Sequence, residues 1–75
     1  MEGEWMTGLL EDGLVRVPEA ARLLGLSRSK VYALMEAGEL PFAKFGISRR
    51  IPRRALAVYV RQHLVGPADL VEAVT

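Results

Sequence analysis

Short apolar-periodic stretches alternate along the chain with Gly, Pro and Ser, and this pattern predicts its elements. "LVRV" (14–17) alternates as a short strand does, and Pro18 ends it. The period then changes. Val17, Ala20, Ala21 and Leu24 share one face of two helical turns, with Pro18 suited to the first helical position and Gly25 as the stop. Leu26 falls in the turn that follows. Ser27 is an N-cap for a second helix, "RSKVYALMEA" (28–37), which turns Val31, Leu34 and Met35 inward and ends at Gly38.

In "LPFAKFGISRRIP" (40–52), Ala43 and Phe45 alternate against Lys44, and Gly46 offers a positive φ. This predicts a β-hairpin pairing roughly 42–45 with 48–51. Pro52 starts a third helix, 53–65, with Leu56, Tyr59, Val60 and Leu64 on its apolar face and Gly66-Pro67 as its stop. "ADLVEAVT" reads as a frayed final turn. Two short helices joined by about three residues containing Gly describe a helix-turn-helix. The expected fold class is therefore mainly α with a small β-hairpin. It is a winged helix-turn-helix of three helices plus a two- to three-stranded wing. Residues 14–66 would form that domain. Residues 1–13 would be a flexible or loosely docked acidic arm with Trp5, Met6, Leu9 and Leu10 as anchors, and 67–75 a short tail.

Seventy-five residues make one small domain with a limited core. The absence of cysteine excludes a disulfide framework and a thiolate zinc site, and a single histidine, His63, excludes most other metal clusters. His63 reads as a surface or half-buried helix residue. No apolar run approaches the roughly 18 residues that span a bilayer, and Met1-Glu2-Gly3-Glu4 is unlike a signal peptide. A soluble cytoplasmic, nucleoid-associated protein is the expectation. No nucleophile–base set, Gly-rich phosphate loop or partnered carboxylate pair is present, so neither an enzyme nor a cofactor or metal is expected.

The net charge of +1 conceals a strong asymmetry. Residues 1–13 hold four acids and no base, whereas residues 14–66 hold ten bases against three acids. A basic small domain carries the electrostatic footprint of a nucleic-acid binder. Helix termini sharpen this. Acids favour a helix N-terminus and bases a C-terminus. The second helix reverses both rules, with Arg28 and Lys30 in its first turn and Glu36 in its last, and the third opens with Arg53 and Arg54. An anion such as DNA phosphate at those N-termini would turn the penalty into an advantage.

With Val31, Leu34 and Met35 inward, Arg28, Ser29, Tyr32 and Ala33 face outward near the start of the second helix, the end that reads bases in a helix-turn-helix. Arg28 suits guanine, Ser29 either base type and Ala33 a thymine methyl. Tyr32 is either a phosphate contact or an edge residue packed on the hairpin, and Ser27 is a cap before it is a contact. Lys44, Arg49 and Arg50 would reach phosphates or a minor groove, with one of the three packing along the core edge.

The stretches "VPEAARLLGLSRSKVYALMEAGELP" and "KFGISRRIPRRAL" resemble the small winged helix-turn-helix domains of the excisionase family, within the MerR-like group. The resemblance covers Leu14–Leu64, about two-thirds of the chain. It implies Arg28, Ser29, Lys30 and Tyr32 as recognition-helix contacts, Lys44, Arg49 and Arg50 as wing contacts, and Arg53 as a phosphate contact. Ile47 departs from the basic or polar residue common at the wing tip. Only about ten residues follow the third helix, so no small-molecule effector domain or dimerising coiled coil is expected.

The resemblance makes the leading expectation a sequence-specific binder of double-stranded DNA. It would be an excisionase, or recombination directionality factor, that bends DNA to assist a phage or mobile-element integrase. It would self-associate cooperatively on adjacent sites, with the acidic arm of one copy meeting the wing of the next. The alternatives are a stand-alone MerR-like transcription regulator, or a protein-interaction adaptor using the basic face.

Overall fold

The computed structural model describes residues 12–73. Of the expected acidic arm only Asp12 and Gly13 fall within that range; residues 1–11, and the last two of the tail, lie outside it. In chain order the elements are β1 (Leu14–Val15), α1 (Val17–Leu24), α2 (Arg28–Glu36), β2 (Ala43–Phe45), β3 (Ser48–Pro52), α3 (Arg53–Gln62) and α4 (Ala68–Ala73). The fold is a winged helix-turn-helix, as the sequence pattern predicts.

The first strand is shorter than "LVRV", and α1 begins at Val17, so Pro18 takes the second helical position. The reason is that the Ala20 N–H already donates to the Arg16 carbonyl at 2.9 Å, which opens the helix one residue early. Proline is harmless there because the first turn's N–H groups have no intrahelical acceptor. Gly25, at φ +70°, ends α1. The chain reverses there, and the Leu26 N–H reaches back to the Ala21 carbonyl at 3.0 Å. Ser27 then caps α2, so the turn of the helix-turn-helix is closed by local hydrogen bonds alone.

The three strands pair antiparallel in the order β1–β3–β2. β2 and β3 form the predicted hairpin, with Ala43 opposite Arg50, Lys44 opposite Arg49 and Phe45 opposite Ser48. Gly46 supplies the positive φ, +65°, at the first position of the two-residue turn. β3 continues past the hairpin to pair Ile51 with Val15 and Pro52 with Leu14. It is therefore the central strand, and it ties the wing to the helices.

The core is a single cluster of ten buried side chains. α1 gives Val17, Ala20 and Ala21, and α2 gives Val31, Leu34 and Met35, the sets that helical spacing predicts. Val15 and Ile51 come from the sheet, Leu56 from α3, and Leu40 from the loop before β2. One expectation for the third helix changes. It ends at Gln62 rather than residue 65, because the His63 and Leu64 N–H groups bond to the carbonyls of Val60 and Arg61, three residues back, which tightens the last turn. His63 also folds onto that end, its Nδ1 lying 2.8 Å from the Tyr59 carbonyl and its ring stacked on Tyr59. Val60 lies on the expected apolar face but is 43% exposed, whereas Leu56 is buried. The tail residues form the short helix α4 rather than a frayed turn.

Ile51 is fully buried while Ile47, four positions earlier on the same hairpin, is 99% exposed. Ile51→Ala should therefore cost about 2–5 kcal/mol of stability, whereas Ile47→Ala should change it by no more than about 0.5 kcal/mol. Urea denaturation of the two variants checks the contrast, and equal effects would contradict this placement of the strand.

Candidate nucleic-acid interface

The burial of Val31, Leu34 and Met35 sets the rotation of α2, and that rotation exposes Arg28, Ser29, Lys30, Tyr32 and Ala33. At the start of the helix the Ser27 hydroxyl oxygen accepts the Lys30 N–H at 3.1 Å. Ser27 is thus a cap, as its position implied, and its own O–H is left to donate elsewhere. No acid stands in the first turn and no base in the last. The side chains of Arg28 and Lys30 make no hydrogen bond or ion pair with another described residue, so two unneutralised cations flank a positive helix end.

The wing divides its three cations. Arg50 lies on the sheet face shared with Ala43, and its Nη1 donates to the Arg49 carbonyl at 3.1 Å. Lys44 and Arg49 share the opposite face, the one on which Ile51 enters the core. Lys44 is exposed and unpaired among the described residues. Arg49 packs instead. Its guanidinium carbon sits 5.5 Å from the Tyr32 ring centroid and 4.8 Å from that of Phe42, and its Nη1 lies 3.0 Å from Glu36 Oε1. The Arg49 N–H does not point at that oxygen, so the contact is an ion pair without a directed hydrogen bond. Because Glu36 is 68% exposed, the pair adds little by itself, and the stacking matters more.

Arg49 is thus the one wing cation that covers the core edge, and Tyr32 is the edge residue packed beneath it. The sequence reading missed their partners. Glu36 stood out only as an acid against the helix dipole; the structure explains it as the counter-charge of Arg49.

At the start of α3, Pro52 provides no side-chain cap. The Arg53 N–H bonds to the Gly13 carbonyl at 2.9 Å, which leaves those of Arg54 and Ala55 without an intrahelical acceptor. Arg54 Nε donates to Asp12 Oδ2 at 3.0 Å across an exposed ion pair. Arg53 stays open beside the α1 pair of Glu19 and Arg22, whose side chains meet at 2.8 Å. The hydrogen bond from Arg22 is the main reason the Glu19 carboxyl titrates below its ordinary value. Partial desolvation opposes it, and the charges of Arg22 and Arg53 add to it. The contribution of this depressed carboxyl to stability is complete above the ordinary value and fades as pH falls through the lowered one.

Exposed cations stand at the starts of two helices and on the hairpin. The profile of the helix-turn-helix domain family matches residues 14–64, from β1 to just past the end of α3. The chain belongs to that family. The helix-turn-helix domain accounts for most of the described residues, and among the residues outside the match only the arm and the tail remain. A protein from Saccharopolyspora erythraea described as "Probable excisionase" is 50% identical over 46 residues, covering 61% of this chain and 47% of the relative. The chain thus spans about half the length of the curated relative it matches. No solved structure matches it. Among the described residues no helix is long and apolar enough to cross a membrane, and no cluster of His, Cys, Asp or Glu could hold a metal ion.

In this helix-turn-helix domain Arg49 acts as a clamp between α2 and the wing. Arg49→Ala should lower stability by about 1–2 kcal/mol, the sum of two partly exposed cation–π contacts and a weak ion pair. Arg49→Lys should recover only part of that, because an ammonium does not stack as a planar guanidinium does. Urea midpoints of the three proteins test this; an unchanged midpoint for the alanine variant would remove the clamp from the account.

Proposed function

We propose that this chain is a small sequence-specific DNA-binding protein of excisionase type. The observation that carries it is the open N-terminal end of α2, where Arg28, Ser29, Lys30 and Tyr32 are exposed and both cations lack an acidic partner. The similarity to the "Probable excisionase" supports the narrower reading.

In this proposal α2 lies in the major groove. Arg28 takes guanine O6 and N7, Ser29 hydrogen-bonds a neighbouring base, Ala33 touches a thymine methyl, and Lys30 and Tyr32 reach phosphates. Lys44 and Arg50 carry the wing to the adjacent backbone or minor groove, while Arg49 holds the wing at the angle that lets them do so. Arg53 meets a phosphate at the start of α3, where unpaired N–H groups add to its charge. Arg54 joins it by exchanging Asp12 for phosphate, an inexpensive exchange because the Asp12 pair is exposed. Occupying adjacent sites, the protein would associate cooperatively on DNA, bend it and assist an integrase in excision.

Footprinting on the DNA flanking the gene tests the role. Direct repeats beside an attachment site support excision, and a lone promoter operator would replace it with transcription control. Two further results are expected. Affinity should fall about 10²–10³-fold between about 50 and 200 mM salt, as neutralising roughly five phosphates requires, and absence of binding even at low salt would leave the adaptor reading. Arg28→Ala should cost about 1–3 kcal/mol on the cognate site and relax the preference at one base pair, while Arg53→Ala should weaken all sequences alike. A sequence-dependent effect of Arg53→Ala would overturn its assignment to phosphate.

A further inference from the structure

The wing ends in two apolar side chains that the core does not use. Ile47 is 99% exposed, and Phe45, the last residue of β2, is 59% exposed. Gly46 takes a positive φ and Ile47 does not, the pattern of a type II′ turn between Phe45 and Ser48. That turn calls for glycine at its first central position. At its second it makes no demand for an aliphatic residue, and polar side chains are usual there. Folding therefore gives no reason for Ile47 to stand in water at the tip.

Gly46 bears no side chain, so Ile47 has the turn to itself. Four strand positions of about 3.3 Å each set it roughly 13 Å beyond the buried Ile51. Behind the tip a cation stands on each face of the hairpin, Lys44 on one and Arg50 on the other. Neither meets an acid among the described residues, and the sequence holds no acid between Glu39 and Asp69. The stacking of Arg49 on Tyr32 and Phe42 fixes the hairpin against α2.

Resting on the DNA-binding reading, we propose that Ile47 is the wedge that bends the DNA: it enters the minor groove and opens a base step. The charge pattern selects this occupant. A minor groove presents stacked bases between two phosphate walls, and the wing presents an apolar tip between two cationic faces. Lys44 and Arg50 reach the opposite strands while Ile47 meets the bases. Unstacking also needs a rigid support, because a tip free to swing would slip aside. The Arg49 clamp supplies it. TA and CA/TG steps open most readily, so the wing favours a site with such a step beneath its tip.

The test uses the full chain and a duplex bearing one footprinted site, with dyes at its two ends. Outside the bases that α2 reads, each adenine is replaced in turn by 2-aminopurine, which brightens when unstacked. TA and CA/TG steps each contain an adenine, so the scan covers them. With the unmodified protein one position should brighten several-fold, and energy transfer between the ends should rise. At saturating protein Ile47→Ser should remove the brightening and most of that rise. Its affinity should fall no more than about tenfold, because the phosphate contacts remain. Ile47→Met should restore both signals, since another apolar side chain can wedge. Lys44→Ala should do the reverse, binding more weakly with a shallower salt dependence while the brightening persists at saturation. Signals that survive Ile47→Ser, or no brightened position at all, would overturn the wedge and leave DNA binding standing. Signals seen only on duplexes with two adjacent sites would overturn it too, and would assign the tip to a second copy. Failure to bind the duplex would remove the DNA-binding reading itself.

Discussion

The burial of Ile51 is the constraint on which the remainder of the molecule depends. It lies in the middle of a basic run, fully enclosed, with its backbone paired to Val15. A strand has a two-residue period, so a single-residue slip would put Arg50 into the core and Ile51 into water. That outcome costs far more than any local preference of the hairpin, and it sets the register of β3 absolutely. The faces of Arg49 and Arg50 follow from it, and the pairing of Lys44 and Phe45 on β2 follows in turn. Pro52, next in line, closes the strand and opens α3, so the position of Arg53 and Arg54 is inherited from the same burial.

A second theme is that the domain places charge where it does not help folding. A small core leaves little stability in reserve, yet α2 opens with Arg28 and Lys30 and α3 with Arg53 and Arg54, all against the helix dipole. The molecule answers unevenly. Arg54 receives Asp12, and Arg49 receives Glu36 and two aromatic rings, while Arg28 and Lys30 receive nothing among the described residues. Local rules that a sequence breaks without compensation mark a function elsewhere, and here they point to an anionic partner. The clamp at Arg49 fits the same logic. It uses one cation of the wing structurally, so that Lys44 and Arg50 project from a fixed platform.

The helices, the turn between them and the hairpin were legible because each is written in near neighbours. Val31, Leu34 and Met35 share a face by spacing, Ser27 caps three residues ahead, and Gly25 and Gly46 stand where positive φ is needed. Val60 lies on the apolar side that spacing predicts yet stays 43% exposed, since periodicity says which side of a helix is apolar but not how much of that side a neighbour covers. The ends of α3 and of β1 shifted by a residue or more for a related reason: individual hydrogen bonds, such as that of Ala20 to Arg16, decide them. The candidate interface was legible as a list of cations and not as an arrangement.

By itself, then, the sequence determined the class of the fold, the order of its elements, the helical faces of α1 and α2 and the excess of positive charge in residues 14–66, because all of these rest on local spacing and composition. The tertiary structure alone decided which cations stay open. Arg54 meets an acid 42 positions away, and Arg49 lies between rings supplied by a helix and a loop. It likewise decided that β3 would be central, and that Leu23 and Val60 would face each other across an open groove. Such pairings come from packing elements against one core, and no one-dimensional pattern encodes the distance between side chains that only folding brings together.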